Sequence, residues 1–215
     1  MEHNSINNLN LIKNEVELKK TKVQIVAVSK TFSIEKIKPL INYGHFHYGE
    51  NKVQEAVKKW SEIKENNKNI KLHFIGKLQT NKVKHVLPLF DFIHSLDNLK
   101  LAEKISNLQI KAKLKPNIFV QVNIGEEKQK NGIMIKDLDH FLKECSSNLN
   151  LKIVGLMCIP PNDKYPIQYF KKMKKLSDEF NLNELSMGMS EDYLDAIECG
   201  STFIRVGHKI FGARD

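Results

Sequence analysis

The sequence predicts an α/β fold, a single-domain (β/α)8 TIM barrel with an extra N-terminal helix. Three observations carry that prediction. Short β-rich runs alternate with amphipathic stretches from residue 24 onward, which implies a parallel sheet. Eight such units fit into 215 residues, the lower end of the size range for this barrel. The turn after the first strand, VSKTFS, has no glycine, so it lacks the Gly-rich fingerprint usual in the alternative, an open doubly wound sheet. No linker, internal repeat or low-complexity segment interrupts the pattern, and residues 1–215 read as one domain.

Each element has its own reason. Residues 5–20 read as a helix because Leu9, Ile12 and Val16 recur at helical spacing. QIVAVS (24–29) is the first strand, and Ser33 reads as N-cap of the helix SIEKIKPLINYG, which ends at Gly44. The strand HFHYG precedes the helix ENKVQEAVKKW. KLHFIG (71–76) leads to NKVKHVLPLF, where Pro88 is tolerated only near the helix end. FIHSL (92–96) is followed by NLKLAEKISNLQIKAK, with Asp97 as its cap. NIFVQVN (117–123), the polar loop GEEKQKNG and the helix IKDLDHFLKECSS come next. KIVGLMCI (152–159) passes through a Pro-rich loop to IQYFKKMKKLSDEF. ELSMG, the helix SEDYLDAIEC and TFIRVG (202–207) complete the set. Only the last strand lacks a following helix, so the leading helix is expected to cover that gap.

Composition excludes several classes. The longest apolar runs are far too short to span a bilayer. The N-terminus has acids and no apolar h-region, so it does not read as a signal or transit peptide, and the cytoplasm is the expected location. Cys145, Cys158 and Cys199 show neither metal-type spacing nor an even count, and read as reduced, mostly buried hydrophobes. The net charge of +9 is scattered over lysine-rich helix faces without interleaved aromatics, which argues against nucleic acid while leaving room for a small anion.

Function in such barrels collects at the C-terminal ends of the strands. Lys30 ends strand 1 on the face shared by Gln24, Val26 and Val28. A lysine there either snorkels to water or, partly desolvated, attacks carbonyl groups. After strand 7, SMGMSED places Ser190 as a helix N-cap, and after strand 8, GHKIFG opens another turn. Either could be structural alone; together, at the two strand ends where this fold binds phosphate, they point to a phosphate site. Arg205 shares one strand face with Phe203; if that face points into the barrel, the guanidinium needs a partner, either an acid such as Glu50 or an acceptor on a ligand. An aldehyde carrying a phosphate would use both the lysine and the anion site, and pyridoxal 5′-phosphate is that molecule.

The motifs AVSKT (27–31), HYGENKVQEA (47–56), HFIGKLQTNK (73–82), VQVNIGEEKQKNGI (120–133), GLMCIPP (155–161), LSMGMSEDYLDAIECGSTFIRVG (185–207) and IFGARD (210–215) resemble those of the YggS/PROSC family of pyridoxal phosphate homeostasis proteins, in order and through nearly the whole chain. This family shares the barrel of the alanine racemase N-terminal domain. The resemblance implies a Schiff base between the cofactor and Lys30, with Arg205 at the ring nitrogen and Asn51 and Met157 beside the ring. It implies that Ser190 and the backbone of Gly207 and His208 hold the phosphate. One position departs: the family usually carries a small hydroxyl residue after the strand-8 glycine, and this chain has His208. The backbone N–H is kept there and the hydroxyl is lost.

The implied role is a monomeric carrier and buffer of intracellular pyridoxal phosphate, delivering it to apoenzymes. The expectation that the chain stops where the barrel closes, without the second domain of the racemases, agrees with that role. The alternative is a pyridoxal-dependent racemase or lyase, which needs a second acid/base group, and Tyr48 and His73 are its candidates. A Schiff-base aldolase working directly through Lys30 and a nucleic-acid binder rank below.

Overall fold

The alternation of β-rich and amphipathic runs closes on itself. The computed structural model describes residues 3–19, 21–163 and 165–213. Among these, eight parallel strands form a closed barrel in sequence order, β1 (Gln24–Val28), β2 (His47–Glu50), β3 (Lys71–Phe74), β4 (Phe92–Leu96), β5 (Asn117–Gln121), β6 (Ile153–Met157), β7 (Glu184–Ser186) and β8 (Phe203–Val206). The closing pair is β1 with β8, Val26 lying opposite Arg205. The helices are α1 (Asn4–Leu18), α2 (Ile34–Asn42), α3 (Val53–Asn66), α4 (Val83–Val86), α5 (Leu99–Ala112), α6 (Leu138–Lys143), α7 (Pro166–Glu179), α8 (Tyr193–Glu198) and α9 (His208–Phe211). The reading of a (β/α)8 barrel with a leading helix is therefore correct.

The leading helix does cover the expected gap. Its buried apolar residues are Leu9, Ile12 and Val16, the three whose spacing identified it. It packs against α2, α8 and α9, and Tyr193 on α8 donates a hydrogen bond to Glu15. The strand-8 end is not bare, because the single turn α9 follows it. Position 20, the expected last residue of the first helix, lies outside the described residues, as do Arg214 and Asp215 of the IFGARD motif.

Two hydrophobic layers follow from strand alternation. Ile25, Ala27, Leu72, Ile118 and Leu156 point outward into the main core beneath the helices. Val26, Phe119, Met157 and Phe203 point inward and fill the barrel, with Phe92 and Val154 beside them. Cys145 and Cys158 are buried, Cys199 is half-buried, and all three are free thiols. Burial pushes the Cys158 thiol up to about 12, which makes it inert.

Two predicted helix starts need correction. Asn98, not Asp97, caps α5, its side chain accepting from Leu101 N–H at 2.9 Å. Ser190 does not cap α8, because the N-cap there is Asp192, whose Oδ1 accepts from Met189 N–H at 2.6 Å. Ser33 is the N-cap of α2 as predicted, holding the extended backbone there without a side-chain cap bond. The predicted stop at Gly44 is met: its φ is +88°, and His45 N–H returns to Leu40 O at 3.0 Å. The helix expected over 135–147 is broken into a 3-10 turn, α6 and a π-turn at Glu144–Asn148.

Candidate functional site

Strand β1 aims Lys30 at the barrel mouth. Val26 points inward, Ala27 outward and Val28 inward again, so the alternation carries Lys30 to the inner rim. The chain then turns sharply. Thr31 takes a left-handed backbone (φ 70°), and its N–H donates to Glu55 Oε1 at 2.7 Å. That bond anchors to α3 a conformation β-branched residues rarely adopt. Lys30 is half-buried and lines a cavity of about 280 Å³ with Val28, Phe32, Gly207 and His208.

The strand-8 side of this cavity is backbone. Gly207 is the N-cap of α9, whose opening N–H groups have no intrahelical acceptor. A Cβ on Gly207 would sit 3.2 Å from Val28 O, so glycine keeps the β1 and β8 ends close. The His208 side chain is exposed at the rim. Strand β7 is tied in through Gly188, whose carbonyl accepts from Arg205 N–H at 3.0 Å. Gly188 has φ +92°, and a Cβ there would meet Ala196 Cβ at 2.6 Å. Ser190 follows on the half-buried loop before α8.

Arg205 lies beneath the mouth. It is 4% exposed, yet its hydrogen-bond acceptors among the described residues are neutral: Ser186 Oγ at 2.7 Å from Nη1 and Cys158 O at 2.9 Å from Nη2. Burial lowers its pKa, with Asp192 acting in the opposite direction. The proposed partner Glu50 is committed elsewhere. Its Oε1 accepts from Ser29 Oγ (2.8 Å), Trp60 Nε1 (2.9 Å) and Lys59 Nζ (3.0 Å). The ion pair considered between Arg205 and Glu50 is thus replaced by one between Lys59 and Glu50.

Of the other predicted residues, Met157 is fully buried in the barrel interior, one residue before the carbonyl that holds Arg205. Asn51 continues β2 and lines a neighbouring cavity with Lys77 and Lys82. Gly76 lets the β3 end approach it, since a Cβ there would lie 2.3 Å from Asn51 O. Asn51 Oδ1 is buried without a hydrogen-bond partner. Lys30, Gly207 and His208 therefore share one cavity, Arg205 and Met157 lie beneath, and Asn51 and Ser190 flank it on separate loops. The two acid/base candidates are elsewhere. Tyr48 points outward against Trp60, ring centroids 4.8 Å apart. His73 is wholly inside the barrel, bonded to other histidines.

A polar line inside the barrel was not anticipated. His47, His73, His94 and Ser186 are linked in series by contacts of 2.8–2.9 Å, ending at Arg205. The available signal was parity: His47 sits two residues before Gly49, and His94 two after Phe92, on inward positions of their strands.

The family model for the alanine racemase N-terminal domain matches residues 3–215. The pyridoxal phosphate homeostasis protein of Aquifex aeolicus is 38% identical over 200 residues, covering 89% of this chain and 87% of that protein. This chain is a member of the pyridoxal phosphate homeostasis protein family. The family's Escherichia coli K12 protein is 36% identical over 203 residues, covering 90% of this chain and 86% of that one. Among solved structures, PipY of Synechococcus elongatus, solved with PLP bound, superposes with a TM-score of 0.87 at 32% identity, covering 97% of this chain and 100% of that one. An alanine racemase of Clostridium difficile has the same fold at a TM-score of 0.77 and 17% identity, covering 98% of this chain and 56% of that enzyme.

Among the described residues, no helix is long and apolar enough to cross a membrane, and no cluster of His, Cys, Asp or Glu forms a metal site.

Proposed function

We propose that this chain binds pyridoxal 5′-phosphate on Lys30 and serves as an intracellular carrier and buffer of that cofactor. One observation supports the reading above the rest: Lys30 shares a cavity of about 280 Å³ with the helix-opening backbone at Gly207 and His208. An amine and a set of N–H donors facing one cavity suit a phosphorylated aldehyde. Two further features fit the group. Arg205 is a buried cation with neutral acceptors, and Asn51 keeps a buried oxygen without a partner. The PLP-bound PipY relative adds weight.

In this reading, Lys30 Nζ is the amine that holds the aldehyde. The backbone of Gly207 and His208 and the Ser190 hydroxyl hold the phosphate. Asn51 and Met157 flank the ring. When bound, the cofactor supplies an aldehyde reactive toward amines and a ring able to accept electrons. Arg205 faces the ring nitrogen and keeps its own charge, so it disfavours a proton at that nitrogen and weakens the ring as an electron acceptor. The receivers would be apoenzymes that use the cofactor, and the working state a cytoplasmic monomer. A racemase or lyase is the second reading, and neither Tyr48 nor His73 supplies its second acid/base group at the mouth.

Titration of the purified protein with pyridoxal phosphate tests this. Wild type should develop a visible band that borohydride bleaches, and Lys30→Ala should not. No band in wild type at saturating cofactor would overturn the proposal.

A further inference from the structure

The barrel interior under Arg205 is polar where packing alone would call for aliphatic residues. His47 Nδ1 lies 2.9 Å from His73 Nε2, His73 Nδ1 lies 2.9 Å from His94 Nε2, and His94 Nδ1 lies 2.8 Å from Ser186 Oγ. Arg205 Nη1 donates to the same Ser186 oxygen at 2.7 Å. Every ring nitrogen of His73 and His94 is thus engaged, and His73 and His94 are fully buried.

The direction of these bonds follows from the chemistry of their ends. A guanidinium has only donors, so Ser186 Oγ must accept from Arg205. Among the described residues, the Ser186 hydroxyl has one other contact, His94 Nδ1. A buried hydroxyl hydrogen needs an acceptor, so it goes to His94 Nδ1. His94 is then the tautomer with its proton on Nε2, which donates to His73 Nδ1. His73 must likewise carry its proton on Nε2 and donate to His47 Nδ1. The opposite polarity would aim both Arg205 and His94 donors at Ser186 Oγ and strand the hydroxyl hydrogen.

The surroundings keep the column rigid and neutral. His73 stacks on Phe92 with centroids 4.3 Å apart, and His94 on Phe119 at 4.4 Å. Burial first, and then neighbouring charge, holds both rings below the usual histidine range; for His94 the charge is that of Arg205. The column runs from His47, half-buried at the start of β2, to Arg205 near the end of β8.

We propose that Ser186, His94, His73 and His47 form a one-way hydrogen-bonded column that positions the Arg205 guanidinium at the cofactor. These are positioning residues, and their relevance to the cofactor rests on the function proposed above.

Long-range proton–nitrogen NMR of the histidine rings, on wild-type protein without added cofactor at neutral pH, tests the column directly. The expected result is a neutral ring with its proton on Nε2 for each of His47, His73 and His94. A proton on Nδ1 at any of the three, or averaging between tautomers, would overturn the proposal. Ser186→Ala should release the His94 tautomer preference and weaken pyridoxal phosphate binding roughly tenfold, the worth of one charge-assisted hydrogen bond, while Ser186→Thr keeps both. Unchanged ring shifts and unchanged affinity in Ser186→Ala would also overturn it. Absence of a cofactor band in wild type overturns the functional reading instead, and leaves the column to be judged by the ring spectra.

Discussion

Acid should unfold this protein through its buried histidines, in a pH window where carboxylates play little part. Burial lowers the pKa of His45 from 6.5 to about 4, and drives His73 and His94 well below 6.5. The unfolded chain binds these protons near pH 6.5 and the folded chain does not, so stability is present above that pH and is lost as pH falls. Between pH 6.5 and 5 each such histidine contributes a loss on the order of 1–2 kcal/mol, and three together about 5 kcal/mol. That is comparable to the whole stability of a marginal domain. His47 acts in the same direction, discounted for its partial exposure. The carboxyl groups Glu55 and Glu198 are lowered and lose their contribution only below their ordinary range, while Asp192 is raised. The assay is urea denaturation at half-unit steps from pH 7 to 5. Below pH 6 the slope should approach 4 kcal/mol per pH unit, equivalent to uptake of about three protons on unfolding. A flat profile between pH 6.5 and 5 would refute the reasoning, because it would mean that these histidines titrate normally in the fold.

Other expectations concern the scaffold. Gly188→Ala puts a Cβ 2.6 Å from Ala196 Cβ at a left-handed backbone, and should cost about 2–4 kcal/mol in urea-midpoint stability while displacing the loop that carries Ser190. Lys59→Met leaves the fully buried Glu50 without its cation and should cost about 3–5 kcal/mol, much of it recovered in the double variant with Glu50→Gln. Met157→Ala opens a void in the closely packed barrel interior and should cost about 2–5 kcal/mol with an unchanged m-value.

Local pattern carried most of the architecture. FIHSL is β4 to the residue, because an apolar run bounded by Asp91 and Asp97 leaves little freedom. Leu9, Ile12 and Val16 located α1 because a buried face repeats with the helical period. The errors fall where two polar neighbours compete for one role. Asp97 and Asn98 can both cap, as can Ser190 and Asp192, and only the backbone angles at the turn decide. That Lys30 and Gly207 lie at one end of the barrel was legible because strand parity and a glycine turn are local facts. The acceptors of Arg205 were not, since Ser186 and Cys158 reach it across strands whose register no single stretch encodes. The histidine column is hidden for the same reason: its members come from four strands, and Ser186 on β7 meets His94 on β4 only when the barrel closes.

The central claim is that Lys30, among many lysines, is the one that carries the cofactor. It is tested most directly by reducing the protein–pyridoxal phosphate mixture with borohydride, digesting it, and locating the modified lysine by mass spectrometry. The account predicts near-stoichiometric modification of the peptide containing Lys30, at cofactor concentrations that leave the surface lysines unmodified. Label spread over surface lysines with Lys30 untouched would contradict it.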